Sequence, residues 1–292
     1  MVLCFANFSG NDSVIAALRE TATPEPTELP PATPSPSPTA TPSPTPTSTP
    51  EVTATPKPTM VASYEILDGI PQTDQPLGLV ECDPVDDSYF NKTVFIGDSV
   101  TLKLQHYVTE MRKKKYPNLL GKAHFLALGS FSTHDNLSKV TKESLHPMVK
   151  GKKMIVEDAL QKAGSEKVYI MLGMNDVASK GLEKSVTNMG TMLQRILEKC
   201  PDIEIFVESV TPRVKGSYPS TTELFKYNIR VYEEILKLDN PQIHFVDVAY
   251  VMRDKRGKLF ESYCSDINTM AMHFTDKGCE AWIKYLYTHA YV

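Results

Sequence analysis

The sequence predicts an α/β protein, a three-layer α/β/α sandwich of about five parallel strands behind a disordered Pro/Thr/Ser-rich stalk. Five short runs predict the sheet: Thr93 to Ile96, His124 to Leu128, Val168 to Leu172, Ile203 to Val207 and Ile243 to Val246. They are apolar on both faces, as strands covered by helices on two sides must be. Segments of helical period separate them. From Leu182 to Cys200, for instance, Val186, Met189, Met192, Leu193, Ile196 and Leu197 share one stripe. The stretch 62–292 has the length of one such domain.

Taken in order, residues 1–20 begin Met1-Val2-Leu3-Cys4-Phe5-Ala6-Asn7-Phe8. This run is far shorter than the ~20 residues that span a bilayer, and it lacks the basic flank and full apolar core of a signal peptide. It reads as the remnant of an export signal or membrane anchor. Residues 21–61 are nearly all Pro, Thr, Ser, Ala and Glu. So few apolar side chains cannot offset the entropy of ordering, so the segment reads as an extended spacer, whose stretch from Ala22 to Pro58 alone would reach about 110 Å at ~3.1 Å per residue. Such stalks hold a domain away from a surface, which sets an extracellular or cell-surface expectation with N-terminal tethering; a linker without positional role is the alternative. The segment from Tyr64 to Asp87, acidic and with Pro71, Pro76 and Pro84, reads as a strap leading into the domain.

Composition narrows the function classes. A net charge of −4 without a basic run gives no footprint for nucleic acid. The five cysteines, Cys4, Cys82, Cys200, Cys264 and Cys279, are odd in number and scattered, which favours buried free thiols over a disulfide framework. A Cys264–Cys279 pair bracing the loop between them is the alternative. No spacing suggests zinc, no His-Glu-x-x-His occurs, and neither a P-loop nor Gly-x-Gly-x-x-Gly is present, so the expected chemistry uses no metal and no cofactor.

The first strand, Val94-Phe95-Ile96, ends in Gly97-Asp98-Ser99, which delivers a hydroxyl to a helix start at the carboxyl edge of a sheet. Leu128-Gly129-Ser130, Leu172-Gly173-Met174-Asn175-Asp176 and His273-Phe274-Thr275 follow in that order. On these motifs the chain resembles the SGNH/GDSL hydrolases over roughly residues 88 to 290. The Ser and Asn blocks carry most of the resemblance and the Gly block least. The resemblance implies the flavodoxin-like strand order 2-1-3-4-5 and a serine esterase. In a parallel sheet, Ser99, Gly129 and Asn175, which follow the first three strands, emerge at one edge.

A serine hydroxyl needs a base during attack. Of seven histidines, His273 stands in a loop before a helix starting near Asp276, in the order the family uses. Developing negative charge needs preorganised donors, for which the candidates are the backbone N–H groups of Ser99 and Gly129 and the side-chain amide of Asn175. Asp98 and Asp176 read as residues that hold loop geometry, and Met174 as pocket wall or underlying packing.

One position departs from the family. The resemblance places an orienting aspartate three residues before the histidine, where this chain has Met270. Asp266 is the nearest upstream carboxylate, and a small loop insertion would move the familiar acid there. The alternatives are a Ser99–His273 dyad, or Asp276, for which helix capping is the ordinary role. Arg213 and Tyr218, after the fourth strand, read as part of a solvated loop, with substrate contact as the alternative. The overall expectation is a carboxyl-ester hydrolase working through acyl-Ser99 on small acyl esters or acylated extracellular glycans. Acyl transfer to a sugar, or a carbohydrate-binding domain that has lost catalysis, are the other readings.

Overall fold

Helices and strands alternate through the computed structural model, which describes residues 65–67, 70–73, 75–216 and 218–292. In chain order the strands are β1 (Glu65–Leu67), β2 (Ile70–Gln72), β3 (Thr93–Gly97), β4 (His124–Ala127), β5 (Met148–Val149), β6 (Lys152–Lys153), β7 (Lys167–Met171), β8 (Glu204–Glu208) and β9 (Ile243–Val246). The α-helices are α1 (Ser99–Lys114), α2 (Thr133–Leu137), α3 (Val156–Ala163), α4 (Met174–Lys180), α5 (Leu182–Lys199), α6 (Thr221–Leu238), α7 (Val248–Met252) and α8 (Asp276–Thr288). The expected anchor remnant at 1–20 and stalk at 21–61 lie outside the described residues.

Five strands form the central sheet in the order β4-β3-β7-β8-β9, and every neighbouring pair is parallel. In sequence order of the sheet strands this is 2-1-3-4-5, the topology that the resemblance implies. The observed bounds differ from the apolar runs by at most one residue at each end, because end positions pair in the ladder whatever their polarity.

Period-two alternation divides the core between two layers. Val94, Ile96, Val168, Ile170, Leu172, Ile205 and Val207 pack with Val156 and Leu160 of α3, Val186, Met189, Leu193 and Ile196 of α5, and Val231 of α6. Phe95, Tyr169, Met171 and Phe206 face the other way, onto Leu104 and Val108 of α1 and Trp282 and Leu286 of α8. On that second face an aromatic row crosses the sheet. Phe125, Phe95, Tyr169 and Phe206 stack through centroid distances of 5.0, 5.0 and 4.4 Å, and His244 of β9 follows at 5.0 Å. Same-face pairs of this kind fix register, since a one-residue slip turns every ring to the opposite layer.

The strap covers the far edge of the sheet. Gly78 bridges antiparallel to Val246, Leu79 N–H donates to the Phe245 carbonyl, and Leu77 N–H donates to Asp247. An open edge is thereby closed. Cys82, Cys200, Cys264 and Cys279 are free thiols, so Cys264 and Cys279 form no disulfide. Among the described residues no helix is long and apolar enough to cross a membrane.

Candidate active site

The three parallel strands β4, β3 and β7 end side by side, and the turns that follow them carry Gly129, Ser99 and Asn175. After β3 the chain turns directly into α1, with Asp98 as N-cap and Ser99 as the first helical residue. Gly97 is required by close approach, because a Cβ there would collide with the Thr101 side chain. After β7, Gly173 adopts φ 148° and caps α4, and a Cβ at this position would strike the Tyr227 ring. No L-residue adopts that backbone easily, so the glycine fixes where α4 begins and with it the place of Asn175 in its first turn.

His273 comes from the loop between the short helical turn Glu261–Tyr263 and α8. Its Nε2 lies 2.8 Å from Ser99 Oγ, and its Nδ1 lies 2.6 Å from Asp266 Oδ2. The imidazole and carboxylate are only 12% and 18% exposed, so water competes weakly for either bond. The other Asp266 oxygen, Oδ1, accepts the backbone N–H groups of Met272 and His273 and, at 3.3 Å, the Cys264 thiol. Burial raises the Asp266 pKa, but the bonds from His273, Met272 and Cys264 outweigh it and hold the carboxyl below its ordinary value.

The shift from the expected position at Met270 to Asp266 has a visible backbone cause. The N–H groups of Thr269 and Ala271 both donate to the Asp266 carbonyl, and Ala271 takes φ 56°. The extra residues therefore fold out as a tight bulge with Met270 at its tip, and the chain returns to bring His273 opposite Asp266. Asp276 lies in the first turn of α8; the cap itself is Thr275, whose side chain accepts the Gly278 N–H.

The Asn175 amide is already engaged. It donates 2.9 Å to Asp98 Oδ2 and 3.3 Å to the Phe131 carbonyl. Asp98 Oδ1 accepts the Val100 N–H, so one buried carboxylate caps α1 and aligns Asn175. Burial pushes the Asp98 pKa up to about 6, against the pull of the Val100 bond and of nearby His273. Gly129 is exposed, and nothing within 4 Å would meet a side chain there, so its backbone faces open space. Among the described residues no acceptor pairs with the backbone N–H of Ser99 or Gly129. Asp176 accepts from Thr133 N–H, Thr133 Oγ1 and His134 N–H and so pins α2 beside α4. Met174 is core packing.

Arg213 departs from the solvated-loop expectation. Its guanidinium donates to the carbonyls of Tyr218, Pro219 and Met270, and its own backbone carbonyl accepts the Leu259 N–H. Proximity in sequence gives no hint of this clasp, because Met270 lies 57 positions away. The Cys264 and Phe131 contacts likewise join residues whose types carry no such signal. No group of three or more His, Cys, Asp or Glu among the described residues could hold a metal ion.

A carboxylate, an imidazole and a hydroxyl in one hydrogen-bonded line, with free N–H groups beside the hydroxyl, suit acyl transfer. The sequence profile of the GDSL-like lipase/acylhydrolase family matches residues 95–281, which span all of these groups. The chain belongs to that family. This acylhydrolase is accordingly a carboxylic ester hydrolase. Among solved structures, the acylhydrolase is similar to a GDSL-like lipase from Bacteroides thetaiotaomicron, with 15% identity, a TM-score of 0.46, and coverage of 70% of this chain and 88% of that one. It is also similar to a carbohydrate esterase family 3 protein from Talaromyces cellulolyticus, at 14% identity, TM-score 0.45 and coverage of 66% and 93%. A family 3 carbohydrate esterase from Clostridium thermocellum matches at 13% identity, TM-score 0.45 and coverage of 66% and 92%. No curated protein matches the chain.

Proposed function

We propose that this acylhydrolase cleaves acyl esters through an acyl-Ser99 intermediate, with acetylated glycans outside the cell as its substrate class. The observation that carries the reading is the continuous line from Asp266 through His273 to Ser99, with bonds of 2.6 and 2.8 Å. His273 Nε2 takes the Ser99 proton as Oγ attacks the ester carbonyl, and Asp266 holds the ring and offsets its transient charge. The Ser99 and Gly129 N–H groups receive the oxyanion. Asn175 joins them by giving up its longer bond to the Phe131 carbonyl. His273 then protonates the departing alcohol, and water attacks the acyl group by the same route in reverse. The glycan assignment draws on the Pro/Thr/Ser-rich segment 21–61, a composition suited to holding a domain off a cell surface.

The test is labelling of the full chain with a fluorophosphonate, mapped by mass spectrometry, for the parent and for His273→Ala and Asp266→Ala. Label confined to Ser99, lost in His273→Ala and strongly slowed in Asp266→Ala, is the expected result. An unlabelled Ser99 in folded parent protein overturns the proposal.

A further inference from the structure

Two large apolar side chains stand exposed at the rim of this site and share one arginine. Tyr218 is 52% exposed and Met270 is 52% exposed. Arg213 fixes both backbones, donating 3.1 Å to the Tyr218 carbonyl and 2.8 Å to the Met270 carbonyl. The Val214 N–H adds a bond to the Ala271 carbonyl. Gly216, at φ 134°, leaves the space that the guanidinium fills, since a Cβ there would press on it. The Tyr218 hydroxyl does not point to solvent but donates 2.9 Å to the Val177 carbonyl of α4. The ring is therefore pinned at its hydroxyl to the helix that carries Asn175, and its backbone is tied through Arg213 to the bulge that precedes His273.

A Tyr fixed at both ends with half its surface bare is an unusual use of an aromatic side chain. Exposed rings tied down in this way lose little entropy when they bind, as aromatic anchors at interfaces do. The chemistry of the site says which part of a substrate meets it. His273 must protonate the leaving alcohol, so the alcohol lies on the His273 side, and Met270 stands three residues before His273 on that loop.

We propose that Tyr218 and Met270 form a leaving-group subsite that stacks on the apolar face of a pyranose ring, built by the same bulge that moves the aspartate to Asp266. An exposed flat ring and an exposed thioether whose backbones share one arginine suit the C–H face of a sugar. Arg213 is a positioning residue that holds the two walls at one spacing. This inference rests on the glycan reading above and names the part of the chain that would express it.

The experiment compares acetate release by the full chain from ethyl acetate, which has no ring to stack, with release from acetylated xylotetraose and O-acetylated chitotetraose. Parent, Tyr218→Ala, Tyr218→Phe and Met270→Ala are measured. In Tyr218→Ala the ratio of kcat/KM on oligosaccharide to that on ethyl acetate should fall about tenfold, through KM, as loss of one aromatic contact implies. Tyr218→Phe keeps the ring and should retain most of the ratio, and Met270→Ala should give a smaller fall of the same kind. Equal losses on both substrates in all three variants mark a purely structural role and overturn the subsite. So does a parent that cleaves ethyl acetate but neither oligosaccharide, an outcome that leaves the esterase mechanism standing. A parent that cleaves no ester and takes no fluorophosphonate label overturns the mechanism itself, and the subsite with it.

Discussion

Asp98 Oδ1 caps α1 and Asp98 Oδ2 holds Asn175, so the residue between Gly97 and Ser99 couples the helix of the proposed nucleophile to the amide expected at the oxyanion. A carboxylate suits both tasks because it offers acceptors only. An asparagine at 98 can still cap the helix through its oxygen, but its other atom is then an N–H group facing the Asn175 N–H group. Asp98→Asn should therefore lower kcat, with KM little changed, by up to the roughly 100- to 1,000-fold that loss of an oxyanion donor costs. The pH dependence separates this from a general packing defect. With a folded pKa raised to about 6 from 3.8, Asp98 favours the folded state below pH 3.8, and that contribution is lost as pH rises through about 6. Its acceptor role runs the other way: protonation as pH falls through about 6 removes the hold on Asn175. On the acid side parent kcat should therefore fall more steeply than that of Asp98→Asn, which has no carboxyl at 98 to protonate. Superimposable pH profiles for the two proteins defeat the coupling.

At the scale of elements, the β7–α4 turn shows how a backbone requirement becomes a catalytic one. Gly173 has φ 148° and the Tyr227 ring against its Hα, while the Tyr227 hydroxyl donates to the Leu172 carbonyl. Gly173→Ala combines a strained dihedral with a collision, each of which costs on the order of 1–3 kcal/mol. Denaturant unfolding should show a loss of at least that size, and turnover should fall further than stability because Asn175 follows the turn directly. An unchanged midpoint counts against this account. Much of this layer was legible in the sequence. The runs at β3, β7, β8 and β9 are largely apolar on both faces because helices cover both, and a buried polar side chain enters such a strand where it finds a partner, as His244 does in Glu204. The order Ser99, Gly129, Asn175, His273 is enough to place these residues at strand and loop ends. Three things were hidden for physical reasons. The β5–β6 hairpin is two residues per strand and carries no periodicity. The bulge from Asp266 to His273 is closed by backbone bonds, which residue types do not encode. The Arg213 clasp uses carbonyls, and every residue has one.

Across the whole molecule, the face opposite α3, α5 and α6 buries an acid that the chemistry does not use. Glu208, at the end of β8, is 2% exposed and accepts the Trp282 Nε1–H of α8 at 2.7 Å; its second oxygen has no partner among the described residues. Trp282 in turn meets Phe274 edge to face, next to His273, so this bond helps seat the C-terminal helix and the histidine loop on the sheet. Burial pushes the Glu208 pKa up to about 8 from 4.5, with the Trp282 bond opposing the rise. A carboxyl raised in the folded state stabilises fully below the unfolded value of 4.5, and the contribution is lost as pH rises through about 8. The parent should therefore lose unfolding free energy, relative to Glu208→Gln, as pH rises across that window. The slope is that of one proton, about 1.4 kcal/mol per pH unit at most. Gln keeps an acceptor for Trp282 and does not titrate, so the variant should match the parent in acid and exceed it in base. Unfolding curves collected at intervals from pH 4.5 to 8.5 read this directly, and parallel stability profiles would show that Glu208 enters the native fold ionised, with its charge met by a partner that the hydrogen-bond pattern does not supply.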